Sequence, residues 1–275
     1  MDRRNLELLS PAGNKESVIA AVNNGCDAVY LGGTTFSARQ YAGNFSMEEM
    51  EEMLHYCHAR NVKVYVTVNT LYKQKEIKEL FNFLSEIYQL GVDAFIVQDL
   101  GTAVWIRKLF PDIELHGSTQ MTIHDLNGVK FLEDLNFQRV VLSREMSLDE
   151  IAYIAKNTSM DIEVFVHGAL CFSYSGQCLM SSMIGGRSGN RGRCAQPCRL
   201  PYTLISDNNQ EIGSGYLLSP KDIQTLEYIP EMIKAGVTSF KIEGRMKRPE
   251  YVAAVVSTYR KYMDQYLLNH KEYFV

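Results

Sequence analysis

Three stretches, GCDAVYLGG (residues 25–33), GVDAFIVQD (91–99) and GVTSFKIEG (236–244), decide the fold of this chain. In each of them, a glycine that can end a helix stands shortly before an apolar run of strand length. The first two copies begin at residues 25 and 91, and this separation of 66 residues is that of two ordinary strand–helix units. The repeat therefore predicts strands that alternate with helices in a parallel sheet.

The rest of the chain continues this alternation. Eight strand candidates are present: LELLS (6–10), AVYLG (28–32), VKVYVTVN (62–69), AFIVQ (94–98), IELHG (113–117), RVVLS (139–143), IEVFVHG (162–168) and SFKIEG (239–244). Amphipathic helical patterns such as NKESVIAAVNN (14–24) and SLDEIAYIAKN (147–157) lie between them. Near-continuous apolar strands separated by helices are typical of a parallel sheet covered on both faces. We predict one (β/α)8 TIM-type barrel over residues 1–275. A doubly wound open sheet is the alternative, which the lack of a G-x-G-x-x-G after the first strand disfavours.

The composition bounds the class of protein. With 275 residues, 46 % of them hydrophobic and 22 % charged, the chain has the composition of an ordinary soluble globular protein, and its length allows two small domains or one large α/β barrel. No apolar stretch approaches the roughly 20 residues that a membrane span needs, and MDRRNLELLSPAG (1–13) lacks the apolar region of a signal peptide. We therefore expect a cytoplasmic protein without membrane contact. The net charge of −4 argues against non-specific nucleic-acid binding by the whole surface.

Residues 169–218, after the seventh predicted strand, interrupt the alternation. They contain the cysteine run CFSYSGQCLMSSMIGGRSGNRGRCAQPC (171–198), and a hairpin pattern, YTLISDNNQEIGSGYLLS (202–219), begins within them. A long segment of this kind in a barrel is usually functional. We predict a Cys-rich loop and β-hairpin, inserted at the C-terminal mouth where barrel enzymes carry their chemistry.

Four cysteines of this insert, Cys171, Cys178, Cys194 and Cys198, follow the spacing C-x6-C-x15-C-x3-C. Disulfides are rare in the cytoplasm, whereas thiolates bind transition metals and iron–sulfur clusters. Structural zinc sites prefer C-x2–4-C pairs, which C-x3-C satisfies and C-x6-C does not. The spacing therefore predicts a metal or iron–sulfur centre, with a zinc-stabilised module as one alternative.

The charge around the cysteines is one-sided. No Asp or Glu occurs from Val164 to Ser206, a stretch that contains four arginines. Three of them are candidate substrate-binding residues: Arg187, Arg191 and Arg193. The stretch indicates an anionic cluster, substrate or phosphate backbone nearby. A solvated basic loop is the alternative.

Polar residues at or near the predicted strand ends should face the barrel mouth. Four of them are candidate catalytic residues: His116, Glu163, His167 and Glu243. Three more are candidate substrate-binding residues: Asn69, Lys241 and Arg245. For a histidine at a strand end, a hydrogen bond to a backbone carbonyl is the structural alternative.

The stretch EVFVHGALCFSYSGQCLMSS (163–182) resembles the signature of the collagenase-like peptidase family of unassigned mechanism, family U number thirty-two. GRSGNRGRCAQPCR (186–199) and LLSPAG (8–13) are also typical of that family. The matching residues are Glu163, Phe165, His167, Gly168, Ala169, Cys171, Gly176, Cys178 and Ser181.

Members of that family include proteins labelled proteases or collagenases. Others act in oxygen-independent hydroxylation, among them bacterial tRNA hydroxylation proteins that make 5-hydroxyuridine at the wobble position, and ubiquinone-biosynthesis proteins with a [4Fe–4S] cluster on four cysteines. The resemblance implies cluster-ligand roles for the four insert cysteines and prephenate as hydroxyl source, bound by the arginines. It also implies tRNA as a partner, contacted through a further C-terminal region that the commonly longer relatives carry.

Two function classes follow from the residues and the resemblance. The thiol quartet and the basic insert favour an iron–sulfur enzyme that hydroxylates an RNA base. A peptidase is the alternative, with Cys171 as nucleophile beside His167, although the sequence has neither H-E-x-x-H nor G-x-S-x-G.

Overall fold

The eight apolar runs pair edge to edge into a closed barrel in the computed structural model, which describes residues 6–39 and 43–269. The parallel barrel strands are β1 (Glu7–Pro11), β2 (Ala28–Leu31), β3 (Lys63–Val68), β4 (Ala94–Val97), β5 (Glu114–Gly117), β6 (Arg139–Val141), β7 (Asp161–Gly168) and β11 (Ser239–Ile242). Neighbours in the chain are neighbours in the sheet from β1 to β7, and β11 closes the ring between β7 and β1. The predicted (β/α)8 barrel is confirmed, and the open-sheet alternative is wrong.

Helices cover the outside of the barrel. They are α1 (Lys15–Asn23), α2 (Met47–His58), α3 (Ile77–Gln89), α4 (Leu100–Leu109), α5 (Leu126–Asp134), α6 (Leu148–Lys156), α8 (Ile229–Lys234) and α9 (Pro249–Asn269), whereas α7 (Met180–Gly185) belongs to the segment that follows β7. Ser46 and Ser147 begin α2 and α6 as capping boxes with Glu49 and Glu150. Each such cap stabilises its helix by about 1 kcal/mol. Within the described ranges, none of these helices has the length and apolarity to cross a membrane.

The chain between β7 and β11 departs from the simple repeat. It contains α7, a two-stranded antiparallel hairpin of β8 (Tyr202–Ile205) and β9 (Glu211–Gly215), and the short strand β10 (Ile223–Gln224). β10 pairs antiparallel with the end of β7, which attaches the segment to the barrel rim. The hairpin forms a sheet of its own.

The barrel interior changes in character along its axis. Six apolar residues fill one part of it: Leu9, Ala28, Tyr30, Tyr65, Ala94 and Ile96. Charged side chains lie beside them: Arg139 forms ion pairs with Glu7 and Glu163, and Lys241 pairs with Glu163. Buried charges persist only where partners compensate their lost hydration, so these ion pairs fix the interior on which the mouth is built.

Candidate functional site

All four insert cysteines line one cavity of about 410 Å³. The opposite wall comes from loops after β2, β5, β6 and β11, which contribute Arg39, Gln120, Arg144 and Met246. These loops follow the carboxyl ends of barrel strands, so the cavity lies at the C-terminal mouth, where barrel enzymes carry their sites.

Local structure places each thiol. Cys171 and Cys194 are exposed, whereas Cys178 and Cys198 are half-buried. The Ala195 amide donates a hydrogen bond of 2.9 Å to Ser181 Oγ, which ties the segment of Cys194 to α7. Burial raises the pKa of Cys198, and nearby Cys171, Cys178 and Cys194 raise it further against the opposing effect of Arg199. The other three insert thiols therefore lie near Cys198, in the cavity that all four line.

The thiols do not form a single-ion site. Among residues 6–39 and 43–269, no group of three or more His, Cys, Asp or Glu side chains is arranged to hold one metal ion. A structural zinc ion requires four ligand atoms within about 2.3 Å of it. The sulfur atoms share a cavity but are not arranged around one such point.

The insert arginines have different positions. Arg187 and Arg199 line the cavity, and Arg191 and Arg193 are not among its lining residues. Arg191 donates to Glu76 Oε2 at 2.8 Å and Oε1 at 2.5 Å, so its guanidinium anchors the insert to the turn before α3. Arg187 Nε donates to the Arg193 carbonyl at 3.1 Å.

A smaller pocket of about 30 Å³ lies deeper in the mouth and shares Arg39 and Arg144 with the outer cavity. Asn69, Lys241 and Arg245, three of the predicted substrate-binding residues, line it together with Glu243. The structure therefore brings these four residues together beneath the cysteines.

Glu243 forms ion pairs with two of the arginines that line the smaller pocket. Arg39 Nη2 lies 3.1 Å from Glu243 Oε1, and Arg144 Nη2 lies 4.0 Å from Oε2. Burial alone would raise the pKa of Glu243, but Arg39, Arg144 and Arg245 lower it to about 2. Glu243 is therefore an ionised acceptor at neutral pH and not a proton donor.

Arg245 and Asn69 form hydrogen bonds that hold the inner wall of the smaller pocket. Arg245 donates to Ser37 Oγ at 2.6 Å and to Thr67 Oγ1 at 2.8 Å, and burial lowers the pKa of Arg245 to about 10. Asn69 accepts a hydrogen bond from the Ala38 amide at 3.0 Å, which positions the loop that carries Arg39.

Lys241 of β11 and Glu163 of β7 form a buried ion pair. Lys241 Nζ donates to Glu163 Oε1 at 2.6 Å and lies 4.5 Å from the ring centroid of Tyr30. Burial lowers the pKa of Lys241, and Glu163 opposes that effect. Glu163 is fully buried and reaches the pocket only through Lys241, so the expectation that it faces the mouth is not met.

The structure brings neither candidate histidine to the cavity. His116 is level with Arg139, the first residue of β6, and is fully buried with its ring 4.7 Å from that of Tyr65. The pairing of β7 with β11 shifts after Lys241, and His167 packs its ring 5.6 Å from that of Tyr259 on α9. Both rings are thus held by aromatic packing away from the thiols.

Sequence reasoning missed Arg39 and Arg144. Arg144 follows β6 in the run LSREM (142–146), a polar strand end of the kind that marked the other candidates. Arg39 stands in a loop eight residues after β2, and no local pattern distinguishes it. Only the closure of the barrel places it beside Glu243.

Several known proteins are similar in sequence to this chain over most of its length. The chain is 44 % identical over 260 residues to the 23S rRNA 5-hydroxycytidine C2501 synthase of Escherichia coli (strain K12), covering 94 % of this chain and 39 % of that protein. It is 38 % identical over 276 residues to tRNA hydroxylation protein P1 of Bacillus subtilis (strain 168), covering 98 % and 65 %. A collagenase of Porphyromonas gingivalis (strain ATCC BAA-308 / W83) is 34 % identical over 282 residues, with 97 % and 67 % covered. The chain thus spans less than two thirds of the first two relatives.

Solved structures with a similar fold are consistent with these sequence relatives. A solved U32 peptidase structure aligns with a TM-score of 0.57 at 11 % identity, covering 87 % of this chain and 93 % of that one. At such identity the likeness concerns the fold alone. Residues 13–274 match the family model for peptidase family U32. With most of its length matched by that model, this chain belongs to peptidase family U32.

Proposed function

We propose that this chain is the barrel of an RNA hydroxylase that adds a hydroxyl group to a pyrimidine base with the help of an iron–sulfur cluster. One observation carries the proposal: four thiols and the cations Arg39, Arg144 and Arg187 line a single cavity at the barrel mouth. Two relatives with at least 38 % identity bear names of RNA hydroxylation, one acting on 23S rRNA and one on tRNA. The wobble uridine of tRNA, converted to 5-hydroxyuridine, is the substrate proposed here, with rRNA cytidine as the second RNA to test.

Cys171, Cys178, Cys194 and Cys198 would hold a [4Fe–4S] cluster. The donor set fits, because such clusters take four thiolates, each on its own iron, and thus need sulfur atoms more widely spaced than those around one ion. The shared cavity supports one common centre for the four thiols, and the C-x6-C spacing departs from the C-x2–4-C pairs that structural zinc sites prefer. When bound, the cluster supplies one-electron chemistry and an electrophilic site.

The cations of the mouth would bind an anionic co-substrate. Prephenate, the proposed hydroxyl source, carries two carboxylates, and guanidinium groups pair with carboxylates in a bidentate geometry. Arg39, Arg144 and Arg187 line the 410 Å³ cavity, whereas the deeper pocket of about 30 Å³ has no room for such a molecule. We therefore assign the co-substrate to the outer cavity.

Glu243, in the smaller pocket, would orient two of these arginines. Ionised Glu243 pairs with Arg39 and Arg144 from below, and Nη1 of each arginine also donates to a backbone carbonyl, of Ala38 and of Ala169, at 3.3 Å. Both guanidinium groups are therefore held in place at the cavity wall. Preorganised donors of this kind bind an anion with little loss of side-chain entropy.

Peptidase activity is the competing proposal, since one relative is named a collagenase. A cysteine nucleophile needs a base within hydrogen-bond reach. His167 packs on Tyr259 and does not line the cavity with Cys171, which weighs against this chemistry.

Two measurements test the proposal. Anaerobically purified natural protein should be brown with about four iron and four sulfide per chain. Cys171→Ala should lose both, and Cys26→Ala, a buried thiol outside the cavity, should keep them. Nucleosides of tRNA and 23S rRNA from a deletion strain should lack a 5-hydroxypyrimidine that the parent contains. Colourless, iron-free protein together with unchanged nucleosides would refute the proposal.

A further inference from the structure

Two large aromatic side chains lie exposed on the segment that carries the first two cysteines. Phe172 is 57 % exposed and Tyr174 is 71 % exposed. Their neighbours Cys171, Ser175 and Gly176 line the cavity, so the backbone that carries the two rings borders it. Exposed aromatic surface beside a cavity usually marks a binding surface.

The segment is held firmly, although its aromatic side chains are exposed. The Ser175 amide and hydroxyl donate to the two Glu145 oxygens at 2.6 and 2.8 Å. Thr122 Oγ1 donates to the Ser175 carbonyl at 2.7 Å, and the Gln177 amide closes a turn onto the Tyr174 carbonyl at 3.1 Å. The loops after β5 and β6 thus fix the backbone from which both rings project.

Close packing of the backbone adds to this rigidity. Gly176 has a φ of 74°, and a Cβ at this position would lie 2.4 Å from the Gln120 carbonyl oxygen. Only glycine allows such an approach without strain. Close packing therefore fixes the backbone that follows Tyr174, and neither aromatic ring lines the cavity.

Several cations are carried by the same insert and by the loop after β11 that lines the cavity, while Glu145 is the acidic residue that binds Ser175. The acid-free stretch from Val164 to Ser206 contains both rings. Exposed Arg187 and Arg193 lie on the insert, and exposed Lys247 and Arg248 follow Met246, a cavity-lining residue. Aromatic rings among cations are the combination that binds single-stranded nucleic acid, because bases stack on the rings and phosphates pair with the charges.

We propose that Phe172 and Tyr174 form a stacking platform for unpaired bases of single-stranded RNA that flank the base entering the cavity. This inference rests on the proposed RNA hydroxylation and names the conformation in which the RNA is recognised. Paired bases hide their faces within the helix, so the platform selects unpaired segments over duplex.

Binding of a labelled eight-nucleotide RNA to the natural protein, measured by fluorescence anisotropy, tests the platform without any turnover. The single strand should bind more tightly than the same strand annealed to its complement. Phe172→Ala and Tyr174→Ala should each weaken single-strand binding about tenfold, since stacking on one aromatic side chain has about that effect. Tyr174→Phe, which keeps the ring, should bind like the natural protein.

Matched controls separate stacking from general damage. Tyr153→Ala removes a 62 % exposed ring from α6 and Phe131→Ala a 51 % exposed ring from α5, and both should leave RNA binding unchanged. All variants should melt within a few degrees of the natural protein, since exposed side chains contribute little to stability.

Equal affinity for single strand and duplex, or natural affinity in both alanine variants, would overturn the inference. The inference would also be overturned if Phe172→Ala lost binding to an unstructured peptide but kept its RNA binding, because the surface would then bind a peptide. RNA binding that follows the predictions without any change in cellular nucleosides would retain the platform and refute the hydroxylation. Hydroxylation that persists at the natural rate and affinity in both alanine variants would refute the platform and retain the proposed hydroxylation.

Discussion

Arg191 of the cysteine-bearing insert pairs with Glu76, in the turn before α3, through hydrogen bonds of 2.8 and 2.5 Å. The bond to Arg191 is the main cause that lowers the pKa of Glu76 to about 2. Because this folded-state pKa lies below the unfolded value near 4.5, the pair stabilises the fold above that pH. The contribution is lost as the pH falls toward 2.

Glu76→Gln should therefore loosen the insert at neutral pH. Both side chains are partly exposed, so solvent screening limits the loss to about 1 kcal/mol or less. Hydrogen exchange should rise at residues 188–193 and much less in the barrel strands. The variant and the natural protein should become equally stable near pH 2, and a difference that persists there would contradict this account.

Glu243 is the only carboxylate within reach of Arg39 and Arg144 among the ion pairs of the described residues. Glu243→Gln should cost about 2 kcal/mol in the free energy of unfolding, because it leaves two half-buried guanidinium groups without an opposing charge. Urea unfolding at pH 7 measures this cost. Glu227→Gln, an exposed site on the surface, serves as the control and should change stability by less than about 0.5 kcal/mol.

The pH dependence of the same site has a definite sign. With its pKa lowered to about 2, Glu243 contributes stability above pH 4.5, and the contribution disappears as the pH falls through the folded-state value. The stability difference between the natural protein and Glu243→Gln should thus be constant from pH 5 to 8 and shrink below pH 4. A difference that changes near pH 6 would mean that another group titrates in its place.

The fold could be predicted from the sequence because its signal is local. Each barrel strand is an apolar run between a helix and a polar end, and the predicted bounds differ from the observed ones by at most two residues. Gly25 and Gly91, predicted as helix stops, adopt φ values of 89° and 85° that favour glycine. The two-residue strand β10 has no such pattern, since its pairing depends on the end of β7.

The site was less predictable because it depends on the side of the strand that each residue faces. Lys241 and Arg245 follow the alternation of β11 and line the inner pocket. His167 departs from it, because the register between β7 and β11 shifts just before that residue. A shift of this kind leaves no trace in a single sequence.

Lys241 and Glu163 should behave as one energetic unit. Lys241→Met should destabilise the protein by about 3–5 kcal/mol, since Glu163 keeps its burial and loses one of its two cations. The double variant Lys241→Met/Glu163→Gln should recover part of that loss, because no unpaired charge then remains on this pair. Urea unfolding of the four proteins of the cycle measures the coupling. Additive effects of the two substitutions would show that the pair does not act as a unit.

Thiol labelling should divide the six cysteines into two classes. In cluster-free, reduced protein, exposed Cys171 and Cys194 should react first, followed by half-buried Cys178 and Cys198. Cys26 and Cys57 are buried, and burial raises the pKa of Cys57 to about 12, so both should react only as the protein unfolds. Mass spectrometry of peptides after timed labelling at pH 8 assigns each rate.

The same labelling tests whether the four insert thiols act together. After anaerobic reconstitution with iron and sulfide, all four should become protected in step with iron uptake, because a thiolate bound to iron is not free to attack the reagent. Cys26 and Cys57 should keep the slow rates that they have in the cluster-free protein. A sample loaded with zinc gives the comparison for a single ion. Protection of only two insert thiols, or protection that does not follow the iron content, would show that the four sulfur atoms do not bind one centre.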